Sequence, residues 1–460
     1  MKTLALDLGT SSVRGLVLDD ALALPVALAR RRIEVTADDE GAGTLDARHY
    51  LACLIECLDE LHGQGRLDGV ELVAVSGQWH SVVALGADDE PLGPVLTWLD
   101  TRPEPSAATV GPADPAAFHQ RTGTWWHRCY WSVRLPWLRA RAGGRVSRFT
   151  GLVEYVLGQL LAEVPMSMSQ ASGTGLLDLH TLHWDPEAIA LAGSDGTDLP
   201  ELAPRDWHGG LRVEYGRRWP ALAGARWAPP LGDGAASNVG SGCVDPTRAA
   251  VTVGTSSAVR LMQRMSTPAE STVLPHRLWR YRVDHDHVVT GVAYSSGGNL
   301  FAWANRELRL PTGRALEEAL ALLPPDGGRP AGVRFGGDRP PGVRPAGLGE
   351  LRGLGFGTTA VEMLAGLMYG VCEQIVDDLV VLESTVGRPV EVVLGGGATA
   401  ASTWWRQAFA AVLAPRPVRF ARHPEIGATG AALVATGRIA DAAAVADIGR
   451  TDDQDQATSA

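Results

Sequence analysis

Apolar residues fall in short blocks over the first part of the chain. Thr3–Gly9 (TLALDLG) and Arg14–Asp20 (RGLVLDD) are Leu-rich, brief and ended by Gly or Asp, which predicts two strands of a hairpin. Ala27–Val35 (ALARRRIEV) predicts a third strand. Across Ala47–His62 the apolar positions recur at helical spacing, and Val70–Gly77 (VELVAVSG) reads as a buried strand. Strands first, then helix and strand in alternation, is an α/β pattern.

The second half repeats the order. Arg248–Met262 (RAAVTVGTSSAVRLM) reads as strand, turn, strand, and His287–Leu308 (HVVTGVAYSSGGNLFAWANREL) as strand, Gly turn, helix. A long helix is predicted from about Thr358 to Val386, then a strand in PVEVVLGGGAT that its glycines end abruptly. Helices over about Ser402–Leu413 and Ala428–Thr436 follow. Between the halves, Pro103 to Pro230 is richer in loops, Trp and Pro, and reads as an insertion on the core. Pro324–Gly349 reads as a long surface loop, and the Ala- and Asp-rich tail ends in ten residues expected to be disordered. The domain division expected is 1–240, 241–440 and a flexible tail 441–460.

The letters GTSS close a strand twice, at Gly9–Ser12 and Gly254–Ser257. Gly permits a sharp turn, and the amides and hydroxyls of Gly9, Thr10, Ser11 and Ser12 can line an anion nest. Asp7, at the end of its strand, could hold a hydrated Mg²⁺ beside that anion. An ordinary polar hairpin has the same letters, so the second copy carries the weight. Two phosphate-sized nests on facing halves would grip a polyphosphate from both sides, in a cleft suited to a ligand. Asp233 stands between two glycines in PPLGDGAASNVGSG, sterically open as a general base must be. The turns at Ser295–Asn299 (SSGGN) and Leu394–Ser402 (LGGGATAAS) would let a nucleotide approach the backbone. Gln78, Trp79 and His80 in VSGQWHS, with Trp98, Asp100 and Arg102 in TWLDTRP, combine Trp faces that stack on sugars with groups that bind hydroxyls or carboxylate. Trp137, Trp184 and Trp303 read as packing residues.

Charge and composition narrow the partners. The formal net charge of the 460 residues is -11, which disfavours nucleic acid and anionic membranes. No stretch approaches the ~20 apolar residues of a membrane helix. The 5 cysteines show no metal-ligand spacing, and Cys53 and Cys57 read as buried thiols, which together point to the cytoplasm.

Taken in order, LALDLGTSS, VSGQWHS, TWLDTRP, SQASGTGLLDLHTLHWD, GDGAASNVGSG, AVTVGTSSAVR, GVAYSSGGNLFAW, VVLGGGATAAS and EIGATGAAL resemble the FGGY family of carbohydrate kinases. The resemblance implies two ribonuclease-H-like domains of the actin/hexokinase/Hsp70 superfamily around an ATP and sugar cleft. It implies Mg²⁺ and transfer of the γ-phosphoryl group of ATP to a sugar hydroxyl. Asp233 matches the family's catalytic base and, with Asp7, a metal position. Asp7, Thr10, Ser11 and Ser12 match the first phosphate motif, and Gly254 and Thr255 the second. Gly298, Asn299, Gly396, Gly397 and Ala398 match nucleotide-binding positions. Gln78, Trp79, His80, Trp98 and Asp100 match the sugar segment. Among acceptors the segments look closest to gluconate kinases and next to xylulose kinases. The segment Thr122–Arg128 (TGTWWHR) departs from both: its Trp125 and Trp126 would narrow the pocket, while His127 and Arg128 could attract a carboxylate. A small sugar or sugar acid is the expected partner, and a homodimer is compatible with this reading. A sugar-binding regulator without catalysis is the rival, and the retained Asp7, Thr10, Asp233 and Thr255 speak against it.

Overall fold

A computed structural model describes residues 1–22, 25–105, 111–266, 272–325, 352–421 and 425–447. The expected surface loop, beyond its first residues, and the last residues of the tail lie outside these.

The opening hairpin forms as the pattern predicts. Strand Lys2–Leu8 pairs antiparallel with Ser12–Leu18, which pairs antiparallel with Pro25–Arg32. Helix Ala47–Gly63 starts at Asp46, whose carboxylate accepts the free N–H groups of Arg48 and His49. Its buried stripe is Tyr50, Cys53, Leu54, Cys57, Leu58 and Leu61, at three- and four-residue spacing. It covers the sheet and leads to Val70–Gly77, which joins the other side of the first strand in parallel. Arg226–Trp227 extends that edge.

The second half has the same connectivity. Arg248–Val253 pairs antiparallel with Ser257–Arg264, and that with His287–Tyr294. Glu391–Gly395 then joins the first strand in parallel, with Val418–Phe420 beyond it, while Trp279–Arg282 extends the opposite edge. Helix Ala360–Thr385 starts in a capping box between Thr359 and Glu362 and buries its apolar stripe on this sheet. The helix expected from Ser402 begins at Thr403, with the Ser402 hydroxyl as its cap.

The two GTSS turns differ in one respect that their letters hide. Leu8 pairs with Val13, so the first loop has four residues; Val253 pairs with Ser257, so the second has three. The insertion between the halves adds helices and a core of its own around Phe118, Trp131, Leu135 and Phe149.

The halves meet at two helices. Strand Leu231–Gly232 runs beside Ser76 and Gly77 and passes directly into helix Asp233–Gly240. Helix Ile426–Ala435 comes late in the chain but packs on that helix and on strands Lys2–Leu8 and Val70–Gly77. The contact is backbone to backbone. A Cβ on Gly430 would fall 1.9 Å from the Ala236 carbonyl oxygen, and one on Gly240 would fall 1.9 Å from that of Ile426. Alanines 235, 236, 428, 431 and 432 complete the interface. Gly430→Ala forces a methyl group into a backbone oxygen, so it should lower unfolding free energy by ~1–3 kcal/mol. Urea denaturation of the purified variant checks this, and an unchanged midpoint would show that the helices do not touch there.

Candidate active site

The first turn is held from three sides. The Gly9 N–H donates to the Ser12 carbonyl (3.1 Å), and the Tyr50 hydroxyl donates to the Gly9 carbonyl (2.8 Å). The Trp98 indole N–H donates to the Thr10 hydroxyl (3.3 Å), so this half-buried Trp braces the turn. Ser11 is exposed at the tip and Ser12 is buried. Asp7 faces Arg14 across the hairpin, and their side chains pair at 2.8 Å. A second arm of Arg14 reaches Glu425 (2.5 Å), just before helix Ile426–Ala435. Burial pushes the Asp7 carboxyl above its usual range against the pull of Arg14, with Glu425 adding to the rise. No sequence motif marks Arg14, although a hairpin with a four-residue loop sets it opposite Asp7.

The second turn gathers both glycine-rich segments. The Gly254 N–H donates to the Ser256 carbonyl (2.9 Å). The Gly298 N–H donates to the Gly254 carbonyl (2.7 Å), and the Asn299 N–H to the Thr255 carbonyl (3.0 Å). The Asn299 side chain is spent on its own turn, accepting from the N–H groups of Gly297 and Leu300 and donating to the Ser295 carbonyl. Gly396 has φ +103°, and a Cβ there would meet the Val253 carbonyl oxygen at 2.3 Å, so only Gly fits. Space is open at Gly397, and Ala398 lies beside Gly298. Thus Gly254, Thr255, Gly298, Asn299 and Gly396–Ala398 converge on one site.

Asp233 is the first residue of its helix, where the helix dipole favours an anion. The N–H of Gly232 just before it donates to the Ser169 hydroxyl (3.0 Å). One Asp233 carboxylate oxygen accepts the Gly234 N–H (2.8 Å) and the group is half-buried. Burial raises its pKa; the Gly234 N–H, Arg260 and His80 oppose this, and the charge of Asp7 adds to it.

The sugar segment sits beside Asp233 and is built around a buried guanidinium. Arg134 donates to the carbonyls of His80 (2.7 Å), Thr97 (2.8 Å), Asp100 (3.3 Å) and Arg128 (2.8 Å). His80 is held at φ +66°, an uncommon conformation for a non-glycine residue, with Nδ1 2.6 Å from the Gly173 carbonyl. Gln78 is fully buried, with its side-chain amide beside the Tyr50 hydroxyl.

Three sequence expectations change here. Trp79 was expected to offer a stacking face to a sugar. It is 5% exposed, and its indole N–H donates to the Ser169 carbonyl (2.9 Å). Its ring is enclosed by Gly173, Gly232 and Gly234 and by Trp279 and Tyr281 of the second half. Trp79 therefore packs beneath the site. Asp100 was expected at the substrate; it is buried, and both of its oxygens are spent on the Gly43 N–H and on Arg102. Burial alone would raise the Asp100 pKa, but Arg102 and these N–H groups hold it below the usual range. His127 and Arg128 were expected to attract a carboxylate. Burial, with Arg128, Arg134 and His80 nearby, pushes His127 down to about 4, so its imidazole is neutral at working pH. Arg128 pairs with Glu104 (2.7 Å). Trp125 stacks on His119 (5.4 Å between centroids), and Trp126 lies against Gly111.

Among the described residues no group of three or more His, Cys, Asp or Glu could hold a metal ion. Asp7 and Asp233 nonetheless feel each other's charge. Mg²⁺ carried on phosphates needs only one or two protein carboxylates, and Asp7 and Asp233 are donors of that type.

The profile of the FGGY family of carbohydrate kinases, N-terminal domain, matches residues 2–223, and that of its C-terminal domain matches residues 249–437. A gluconokinase of Bacillus subtilis is 27% identical, over 82% of this chain and 77% of its own. A xylulose kinase of Streptomyces coelicolor is 29% identical, over 96% of this chain and 89% of its own. The crystal structure of gluconate kinase from Lactobacillus acidophilus superposes with a TM-score of 0.80 at 22% identity, covering 96% of this chain and 91% of that one, a likeness of fold.

The enclosed position of Trp79 has a measurable consequence. Trp79→Phe removes a buried hydrogen bond and part of a ring, so it should cost roughly 1–3 kcal/mol of stability. Equilibrium denaturation checks this, and a variant as stable as the parent would contradict the packing role.

Proposed function

We propose, for a chain that belongs to the FGGY family of carbohydrate kinases, that its acceptor is a sugar acid and that gluconate is the best single choice. The enzyme is a phosphotransferase with an alcohol group as acceptor and ATP as phosphate donor. Similarity to gluconokinase supports the acceptor. Similarity to xylulose kinase over a larger share of both chains keeps a ketose as the second reading.

The observation that carries the mechanism is the setting of Asp233: half-buried, at a helix start, between two glycines, where the halves meet. Its carboxylate orients the acceptor hydroxyl and takes its proton as the bond to phosphorus forms. The amides and hydroxyls of Gly9–Ser12 and Gly254–Ser257 receive the phosphates, and Arg14 offsets the charge of Asp7 and Glu425 beside the first turn. Gly298, Asn299 and Gly396–Ala398 hold the nucleotide. In this reading His80 and Gln78 lie on the sugar side, and Trp98 keeps Thr10 in place. When bound, Mg²⁺ supplies charge neutralisation on the phosphates, with Asp7 and Asp233 as the carboxylates that hold it. The domain division in this reading is 1–240 and 241–440, with helix Ile426–Ala435 docked on the first. Closure about the paired helices excludes water and so limits ATP hydrolysis. No helix among the described residues is long and apolar enough to cross a membrane. A cytoplasmic setting is part of this reading and rests on the scattered cysteines, none of which forms a disulfide.

ADP release measured with gluconate, xylulose, ribulose and glycerol should give the highest kcat/KM with gluconate, and a clear preference for xylulose would replace the first reading by the second. Asp233→Asn should lower kcat by about 10²–10⁴-fold while ATP still binds, as titration calorimetry would show. Substantial residual turnover would remove Asp233 as base. A base must be deprotonated to act, and burial raises this one. The acid limb of kcat/KM should therefore lie above the ordinary aspartate range and disappear in Asp233→Asn.

A further inference from the structure

We propose that Arg260 of the second half binds the carboxylate of the acceptor and selects a sugar acid over a neutral sugar. This rests on the sugar-acid reading above, which leaves the carboxylate without a partner now that His127 is neutral and Arg128 is paired.

Strand geometry aims Arg260 at the acceptor. Its neighbours Val259 and Leu261 are buried in the core of the second half, so Arg260 points to the opposite face. It pairs with Gly291, which pairs in turn with Trp279, so the three form one row across the sheet. Gly291 leaves room for the stem of Arg260: a Cβ there would lie 3.0 Å from Arg260 Cγ and 3.0 Å from the Trp279 ring. The same row meets the first half, because the Trp279 and Trp79 rings lie 6.3 Å apart. Arg260 and Asp233 are close enough for their charges to act on each other.

Arg260 also has donors to spare. A guanidinium carries five N–H groups in a planar fork that matches a carboxylate. Its hydrogen bond to protein is a long one, from Nη1 to the Thr252 hydroxyl (3.4 Å), and its Nε–H is buried and unpartnered. No acidic side chain among the described residues forms an ion pair with it. Nearby cations are already engaged. Arg102 is spent on Asp100, Arg14 on Asp7 and Glu425, and Arg134 on four backbone carbonyls. Burial works against the charge of Arg260, and a bound carboxylate would offset that.

Position separates this role from phosphate binding. Arg260 lies three residues beyond Ser257, or ~10 Å along the strand from the second turn. It is level with the aromatic rings next to the sugar segment and away from the turn amides that suit phosphate.

The test compares kcat/KM for gluconate and for its neutral carboxamide in wild type, Arg260→Met and Arg260→Lys, with thermal melts as a control for folding. Wild type should prefer the acid. Arg260→Met should lower that preference by about 10²-fold, mainly through KM for gluconate. Arg260→Lys should fall between, because a point charge lacks the fork. If wild type prefers gluconate and both folded variants keep the same ratio, Arg260 is not the carboxylate partner, and the sugar-acid reading stands. A loss in kcat shared equally by the two acceptors also overturns the assignment, since it would place Arg260 at the transferred phosphoryl group. If wild type turns over xylulose and not gluconate, the sugar-acid reading fails and the role of Arg260 fails with it. Should Arg260→Met not fold, the ratio in Arg260→Lys decides.

Discussion

The structure depends on two helices that touch through bare backbone. At Gly240 and Gly430 no side chain separates Asp233–Gly240 from Ile426–Ala435. That contact fixes two distant things together. At the head of the first helix stands Asp233. Just before the second stands Glu425, which reaches Arg14 and through it Asp7. The separation of Asp233 and the Gly9–Ser12 turn is therefore set by the approach of two helices, and small residues are required where their backbones touch.

The aromatic cluster next to Asp233 belongs to neither half alone. Trp79 and Tyr130 come from the first, Trp279 and Tyr281 from the second. The Tyr130 and Tyr281 hydroxyls are 2.7 Å apart, and Trp279 stacks on Tyr281 at 4.5 Å. A duplicated α/β unit has thus diverged: both copies keep a GTSS turn, but one carries Gln78–His80 beside Asp233 and the other packs Trp279 and Tyr281 against that segment. The four-residue and three-residue loops of the two turns carry the same divergence to the phosphate end.

Much of this was legible in the letters. The opening hairpin, the strand Val70–Gly77 and the repeated order of the second half follow from apolar periodicity and from glycines that end strands. Asp233 stood out because glycines flank it. The FGGY resemblance held through both halves. What escaped was which partner each polar or aromatic group finds. A Trp among polar residues reads as a sugar platform, but whether its ring is open depends on Gly173, Gly232 and Gly234, which converge only on folding. Asp100 has its neutralising partner two residues away, yet only the fold shows both oxygens consumed. Alternation in Val259-Arg260-Leu261 puts Arg260 on the face opposite its neighbours, but nothing local says that this face looks towards the other half.

Arg134 has a consequence for how such a pocket can change. Its donors are spent on main-chain carbonyls at 80, 97, 100 and 128, so it holds the path of the chain and is indifferent to the side chains there. The scaffold of the pocket and its vocabulary are thereby uncoupled. Leu99, exposed next to Trp98, can be exchanged while the loop that bears it keeps its course. A lineage could drift from one acceptor to another in single steps without passing through a form that has lost its shape.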